Sequence, residues 1–132
     1  MRPVPQEGGK PVHAATDIAR MAAEAIHDKK GLDVVLLDVA ELLSITDIFV
    51  IGTGTSNIHV RALAEGVEEH LAEATSRKPL RREGVGQATW ILLDYGDVVV
   101  HLFQPETRDF YGLERLWADA PQIEWEPAPS EA

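Results

Sequence analysis

The segment IGTGTSN (51–57) combines residue types and spacing that could bind an anion. It ends a predicted strand and opens a predicted helix. Glycines there let the backbone approach a ligand, and free amide groups at a helix start attract phosphates. The segment lacks the lysine and the glycine spacing of a P-loop, and it does not match GxGxxG. We therefore favour the alternative interpretation, a strand-to-helix turn capped by Thr55 or Ser56.

Carboxylates and histidines are the other residues that could act in acid–base or metal chemistry. The sequence DYGD (94–97) places two carboxylates close together along the chain, but an acidic hairpin turn explains them without catalysis. The histidines at 13, 27, 59, 70 and 101 show no HExxH or other close metal-ligand spacing. No GxSxG nucleophile motif is present. We expect His101, which lies in an apolar run, to pack beside Trp90.

Composition narrows the class of protein further. The 132 residues correspond to one domain, and 45% apolar residues can supply its core. The absence of cysteine excludes disulfides, zinc ribbons and thiol chemistry. Twelve basic and 22 acidic residues give a net charge of 12 − 22 = −10, which disfavours direct binding to nucleic acid and suits a basic partner protein. No apolar stretch approaches the roughly 18 residues that span a membrane, and we expect a cytoplasmic protein.

Hydrophobic periodicity predicts the elements that must position these residues. They are a helix over 15–30, strands over 33–39 and 48–52, a helix over 56–75, an edge strand over 79–83, two strands within 89–103, and a last helix from Pro105. This order predicts an α/β fold, a single domain with a mixed five-stranded sheet flanked by helices. The domain is expected over 14–118, between a flexible leader (1–13) and an acidic, proline-rich tail (119–132).

The segment TWILLDYGDVVVHLF (89–103) is predicted to form a hairpin with two different faces. A two-residue turn at Tyr95-Gly96 places Trp90 opposite His101, although a longer turn would change this register. Alternation along both strands collects aliphatic side chains on one face, which belongs in a core. The other face mixes Trp90, Leu92 and His101 with a carboxylate, which is more typical of a binding surface.

The strings SITDIFVIGTGTSNIHVRALAEGVEE (44–69) and GQATWILLDYGDVVVHLFQPETRDFYGLERLWADA (86–120) together resemble the ribosomal silencing factor or iojap family. The combination of WILLDYGDVVVH with R-x-FYxLExLW is highly specific. The resemblance implies a translational repressor and no enzyme activity. It implies binding to the large ribosomal subunit through the ribosomal protein called L-fourteen, which blocks association with the small subunit. It also implies nucleotidyltransferase-like topology, a homodimer when free, no cofactor or metal, no direct dependence on nucleic acid, and no membrane.

We expect the mixed hairpin face, with nearby aromatic and acidic side chains, to bind the partner. The candidate partner-binding residues are Trp90, Leu92, Asp94, Tyr95, Asp97, His101, Asp109, Tyr111, Glu114 and Trp117. The two tryptophans could instead be buried core aromatics. The alternative function is a nucleotidyltransferase-like enzyme or a nucleotide-binding protein that uses the GTGTS turn. Such an enzyme needs paired carboxylates for magnesium, and the strands after the second helix offer no Asp-x-Asp.

Overall fold

The computed structural model, which describes residues 14–127, contains the predicted helices and strands in the predicted order. They are α1 (Ala15–Asp28), β1 (Leu32–Asp38), β2 (Ile48–Thr53), α2 (Asn57–Thr75), β3 (Arg81–Glu83), β4 (Trp90–Asp94), β5 (Val98–Phe103), α3 (Pro105–Tyr111), α4 (Leu113–Leu116) and β6 (Gln122–Ile123). The predicted leader (1–13) and the end of the predicted tail (128–132) lie outside the described residues.

The strands form one mixed sheet in the order β3-β4-β5-β2-β1-β6. The central pair, β2 and β5, is parallel, and every other neighbouring pair is antiparallel. All residues of both central strands are buried, as expected for β-branched runs without polar alternation. The predicted edge strand is confirmed, because β3 ends the sheet and all three of its residues are exposed.

One face of the sheet is closed by α1 and α2. The buried stripe of α1 includes Ile18, Ala22 and Ile26, and these side chains share one core cluster with Leu63 and Val67 of α2. The aliphatic residues of the hairpin complete this cluster, namely Ile91, Leu93, Val98, Val100 and Leu102. The predicted core face is therefore confirmed. Among the described residues, no helix combines the length and apolar character needed to cross a membrane.

The predicted hairpin register is wrong by two residues. The turn residues are Gly96 and Asp97, because Tyr95 N–H donates to the carbonyl of Val98 at 2.8 Å. Gly96 has a φ of 91°, which favours glycine at this position of the turn. Trp90 therefore pairs with Phe103, and His101 pairs with Leu92. A shift of two residues leaves every side chain on its predicted face, since side chains alternate with a period of two.

The C-terminal region differs from the prediction in two respects. The predicted last helix is interrupted at Gly112, whose φ of 56° ends α3 and precedes α4. The sheet has six strands and not five, because Gln122 and Ile123 of the segment predicted as a tail pair with Leu37 and Leu36 of β1. A strand of two residues has no periodicity that the sequence pattern could reveal.

Candidate functional site

The sheet face opposite α1 and α2 carries aromatic and aliphatic side chains from the three strands β2, β4 and β5. We call it the aromatic face and define it by Phe49, Trp90, Leu92, Val99, His101 and Phe103. The short helices α3 and α4 lie on this side and contain no buried residue, and Leu43 of the loop between β1 and β2 also packs here. The β2 and β5 residues of the aromatic face are buried, whereas Trp90 and Leu92 of β4 are only partly buried. At β4 the aromatic face is therefore less completely covered than the face beneath α1 and α2, which we call the helical face.

A histidine–tryptophan pair lies at the centre of the aromatic face. Trp90 Nε1–H donates to His101 Nδ1 at 3.2 Å, and the ring of Phe49 meets His101 edge-on at 4.7 Å between centroids. Trp90 also stacks on Phe103 at 4.8 Å and lies 4.7 Å from the ring of Tyr111. The prediction that His101 packs beside Trp90 is confirmed, although the two residues are diagonal neighbours and not a cross-strand pair.

Burial lowers the pKa of His101 from 6.5 to about 4, because the charged imidazolium loses its hydration inside the protein. The ring is therefore neutral at pH 7. Since Nδ1 accepts the proton of the Trp90 indole, the single ring proton is assigned to Nε2. Nε2 is buried and has no hydrogen-bond partner within residues 14–127.

A groove of about 290 Å³ adjoins this pair and is shared by four segments of the chain. Phe49, Leu92 and Val99 line its apolar floor, and it also includes His101 and Asp94. Two strongly exposed apolar residues belong to its lining, Ile45 from the loop between β1 and β2 and Leu80 before β3. The sequence analysis missed both, because the groove brings together segments that are distant along the chain.

The two carboxylates of the DYGD sequence are each held by an arginine. Asp94 Oδ1 accepts the Gly96 backbone N–H at 2.8 Å, and Asp94 Oδ2 lies 3.4 Å from Arg81. Asp97 Oδ1 accepts from Arg77 at 2.8 Å. The turn is therefore stabilised by two local ion pairs. Among the described residues, no group of three or more histidine and acidic side chains is placed to hold a metal ion.

Tyr95 does not lie on the aromatic face. Its side chain is buried in the core on the helical side of the sheet, with the Arg77 guanidinium 5.8 Å from the ring centroid. Burial raises the pKa of its hydroxyl above the usual value. The expected direct contact between Tyr95 and a partner therefore conflicts with its position, and its neighbour Asp94 lies on the other face.

The remaining candidate residues lie on or near α3 and α4. Trp117 is half-buried and meets Phe49 edge-on at 6.0 Å. Tyr111 and Asp109 are exposed. Glu114 Oε1 accepts from Arg108 Nε at 2.9 Å, so this carboxylate already has a partner within the chain. Phe110 and Leu116 are both strongly exposed.

Arg108 connects α3 and α4 to the end of the sheet. In addition to Glu114, its guanidinium donates from Nη1 to Thr53 Oγ1 at 2.7 Å and to the carbonyl of Asp33 at 2.8 Å. Thr53 ends β2, and Asp33 lies in β1. One arginine thus anchors both short helices, and with them Tyr111, beside Trp90.

The glycines of the GTGTS turn allow close packing of helices against the sheet. A Cβ at Gly52 would lie 3.0 Å from Ile26 of α1, and one at Gly54 would lie 3.0 Å from Val60 of α2. Both distances are tighter than ordinary side-chain contacts. The need for glycine here is explained by packing, without a bound phosphate.

The backbone amides of the same turn have partners within the protein. Gly54 N–H donates to the carbonyl of Phe103 at 2.9 Å, and Thr55 N–H donates to His59 Nδ1 at 2.9 Å. Ser56 Oγ accepts the His59 N–H at 3.1 Å, which confirms Ser56 as the cap of α2. Because these donors are used, the turn gives no support to the nucleotide-binding alternative.

Both the sequence and the fold of this chain are similar to those of known proteins. Residues 12–132 match a family model described as ribosomal silencing factor during starvation. A ribosomal silencing factor of Halalkalibacterium halodurans is 40% identical over 110 residues, which cover 83% of this chain and 93% of the relative. One from Chromobacterium violaceum is 42% identical over 101 residues, covering 76% and 82% of the two chains. A crystal structure of a Chromobacterium violaceum protein superposes with a TM-score of 0.77 at 37% identity, covering 89% of this chain and 95% of that one.

Proposed function

The chain belongs to the ribosomal silencing factor family, and we propose that it represses translation by binding the large ribosomal subunit and blocking its association with the small subunit. The partner that we propose on the large subunit is the ribosomal protein L-fourteen. The protein acts in this proposal as an obstacle between two surfaces and needs no catalytic group.

The observation that carries the proposal is the incomplete cover of the aromatic face. The two sides of the sheet are built from the same strands, yet two long helices bury the hairpin residues on one side completely, whereas on the other side Trp90 and Leu92 of β4 remain only partly buried. Exposed apolar side chains lie beside this region, namely Ile45 and Leu80 at the groove and Phe110 against Tyr111. Exposed apolar side chains near a partly buried tryptophan are typical of protein–protein interfaces, in which tryptophan and tyrosine are frequent anchors.

Charge favours a basic protein as the partner. The chain has a net charge of −10, which accelerates encounter with a positively charged protein and opposes contact with RNA phosphates. The arginines near β3 do not alter this balance. Arg77, Arg81 and Arg82 form ion pairs with Asp97, Asp94 and Glu68. We further propose that Phe110 and Leu116, which are exposed and lie outside the groove, allow the free protein to form a homodimer.

Subunit joining tests the proposed function directly. The protein is incubated with free large subunits before small subunits are added, and light scattering follows their association. We expect slower joining in proportion to the fraction of large subunits that carry the protein. Sedimentation with separated subunits measures that fraction and should show binding to the large subunit only. Unchanged joining with large subunits saturated by the protein would rule out the proposed mechanism.

Two exposed isoleucines provide a matched pair of variants for the same assay. Ile45 is 81% exposed beside the aromatic face, whereas Ile58 is 74% exposed on α2, in the helical layer. We expect Ile45→Asp to weaken large-subunit binding at least about tenfold, because a charge is desolvated in an apolar contact. Ile58→Asp should leave binding unchanged. Equal effects of both substitutions would contradict the assignment of the aromatic face.

A further inference from the structure

We propose that the groove beside His101 seats an extended apolar segment of the basic partner protein, which accepts a hydrogen bond from His101 Nε2–H and forms a second one with Thr46 Oγ1. This inference rests on the proposed function and adds to it the chemistry by which one part of the interface recognises its partner. His101 and Thr46 would determine specificity, whereas the surrounding apolar residues would supply contact area.

The first observation is the placement of unsatisfied polar atoms. Within residues 14–127, three buried side-chain polar atoms have no hydrogen-bond partner, those of Thr46, Tyr95 and His101. Tyr95 lies in the helical core, but Thr46 and His101 both line the same groove. An unsatisfied buried donor or acceptor is costly, so two in one groove indicate that the occupied groove satisfies them.

The second observation is the orientation of the His101 ring. Nδ1 is directed towards the indole of Trp90, which does not line the groove. Nε2 lies on the far side of the ring from the Trp90 indole, and His101 lines the groove together with Leu92 and Val99. We infer that Nε2 is the ring atom directed towards the groove. Because Nε2 is covered in the free protein, an acceptor reaches it only when the groove lining shifts. Ile45 and Thr46 belong to a loop without helix or strand, which can move without breaking the sheet.

The spacing of the two polar atoms suits an extended segment. Thr46 precedes β2, whereas His101 pairs with Ile51 further along that strand. From Ile48, where β2 begins, to Ile51, three residues correspond to roughly 10 Å at a rise of about 3.3 Å per residue, and Thr46 lies before that start. An extended segment of a few residues can follow this direction with alternating side chains, so that some contact the apolar floor while its backbone provides hydrogen-bonding groups.

Charge decides between two possible occupants. A second copy of this chain also has a net charge of −10, so two copies repel each other as they approach. A basic protein is attracted to the same surface. The groove lining has no net charge, because its two charged residues, Arg81 and Asp94, form an ion pair. We therefore assign the groove to the ribosomal partner, and self-association remains a measurable alternative.

The decisive variant is Thr46→Val, which replaces the hydroxyl by a methyl group of similar size. In the free protein this removes an unsatisfied polar atom, so the urea midpoint should stay the same or rise. Binding to isolated L-fourteen, measured by isothermal titration calorimetry with the full chain, should weaken about five- to tenfold, because one interface hydrogen bond is lost. Thr46→Ser keeps the hydroxyl and should bind within about twofold of the unchanged protein. A structural role alone does not produce opposite effects on stability and affinity.

His101→Phe tests the other end of the groove by removing the Nε2–H donor while keeping an aromatic ring. We expect a similar loss of affinity, measured on the folded fraction. Unchanged affinity in both Thr46→Val and His101→Phe, with normal binding by the unchanged protein, would overturn the inference alone. Absence of binding by the unchanged protein would instead contradict the proposed partner. A weaker homodimer in sedimentation velocity, with unchanged affinity for L-fourteen, would assign the groove to a second copy and also overturn the inference.

Discussion

The helical face and the aromatic face of the sheet are made by alternate residues of the same strands, yet they meet different demands. On the helical face, Leu93 and Val100 are fully buried beneath α1 and α2. On the aromatic face, the neighbouring Leu92 is only partly buried, and the cover comes from helices of seven and four residues. A strand can therefore supply stability with one set of alternate positions and recognition with the other. Substitutions that separate these two contributions can test it.

The largest effect on folding is expected for Leu93→Ala. Truncation of a fully buried leucine removes apolar burial and leaves a cavity, which should lower the free energy of unfolding by about 2–5 kcal/mol. The affinity of the molecules that remain folded should change little. The adjacent Leu92→Ala is the matched control, with a smaller loss of stability and a clear loss of affinity. Urea unfolding that shows Leu92→Ala to be the more destabilising of the two would reverse the assignment of the faces.

The second prediction concerns the pH dependence of stability that His101 causes. Its pKa is about 4 in the folded protein and near 6.5 when unfolded, so the unfolded chain binds a proton between these values and the folded chain does not. Above pH 6.5 His101 therefore does not affect the free energy of unfolding. As the pH falls from 6.5 to 4, His101 lowers the free energy of unfolding by about 3 kcal/mol in total. His101→Gln removes this contribution, while carboxylates titrate equally in both proteins. Urea unfolding from pH 7.5 to 4 should show a shallower decline for the variant, and parallel curves would contradict the shifted pKa.

The third prediction is that Trp90→Ala weakens binding to L-fourteen by about 2 kcal/mol or more, because large aromatic side chains are frequent interface anchors. The loss in stability should be smaller than the roughly 3–5 kcal/mol of a fully buried aromatic, since Trp90 is only partly buried. Trp125→Ala provides the control, because this half-buried tryptophan packs against the helical core and donates to the carbonyl of Val34. If calorimetric titration shows equal losses of affinity for both, Trp90 is not a specific anchor.

The smallest effect is expected for Asp94→Asn. The amide oxygen still accepts the Gly96 N–H, so the turn is retained, while one negative charge near the groove and its ion pair with Arg81 are lost. We expect the association rate to fall by a few-fold and its salt dependence to decrease, with little change in the dissociation rate. Stopped-flow binding at two ionic strengths measures both rates. A dominant change in dissociation would place Asp94 inside the interface and not at its rim.

Alternation along the hairpin was enough to predict the faces, but not the register. Both Tyr95-Gly96 and Gly96-Asp97 place a glycine in a two-residue turn, and the sequence alone does not distinguish the two frames. The structure uses the second, with Tyr95 paired through its backbone to Val98. Alternation also indicates the position of Tyr95, because it follows Asp94 and must point to the opposite face. The expectation that it extends the mixed face overlooked this consequence.

The groove could not be predicted from local sequence patterns. Ile45 lies in a loop and Leu80 precedes an edge strand, so neither position has a periodicity that indicates a binding surface. Their proximity depends on the strand order, which places β2 beside β5 and β3 beside β4. The break at Gly112 was equally hidden, because glycine within an apolar helical pattern is compatible with either a continuous helix or an end.

The parallel pairing of β2 with β5 has a consequence for the order in which the protein folds. The β1–β2 pair and the β4–β5 hairpin each join neighbouring segments, whereas β2 and β5 meet only across α2, β3 and β4. Pairing of segments distant along the chain closes a longer loop and therefore costs more conformational entropy than local pairing. We expect β2 and β5 to pair after the two local pairs have formed. Phe49 belongs to β2, whereas Trp90 and His101 belong to the β4–β5 hairpin on the other side of this pairing. The surface proposed to contact the ribosome therefore does not exist in either half of the chain, and we expect a partly folded molecule not to bind the large subunit.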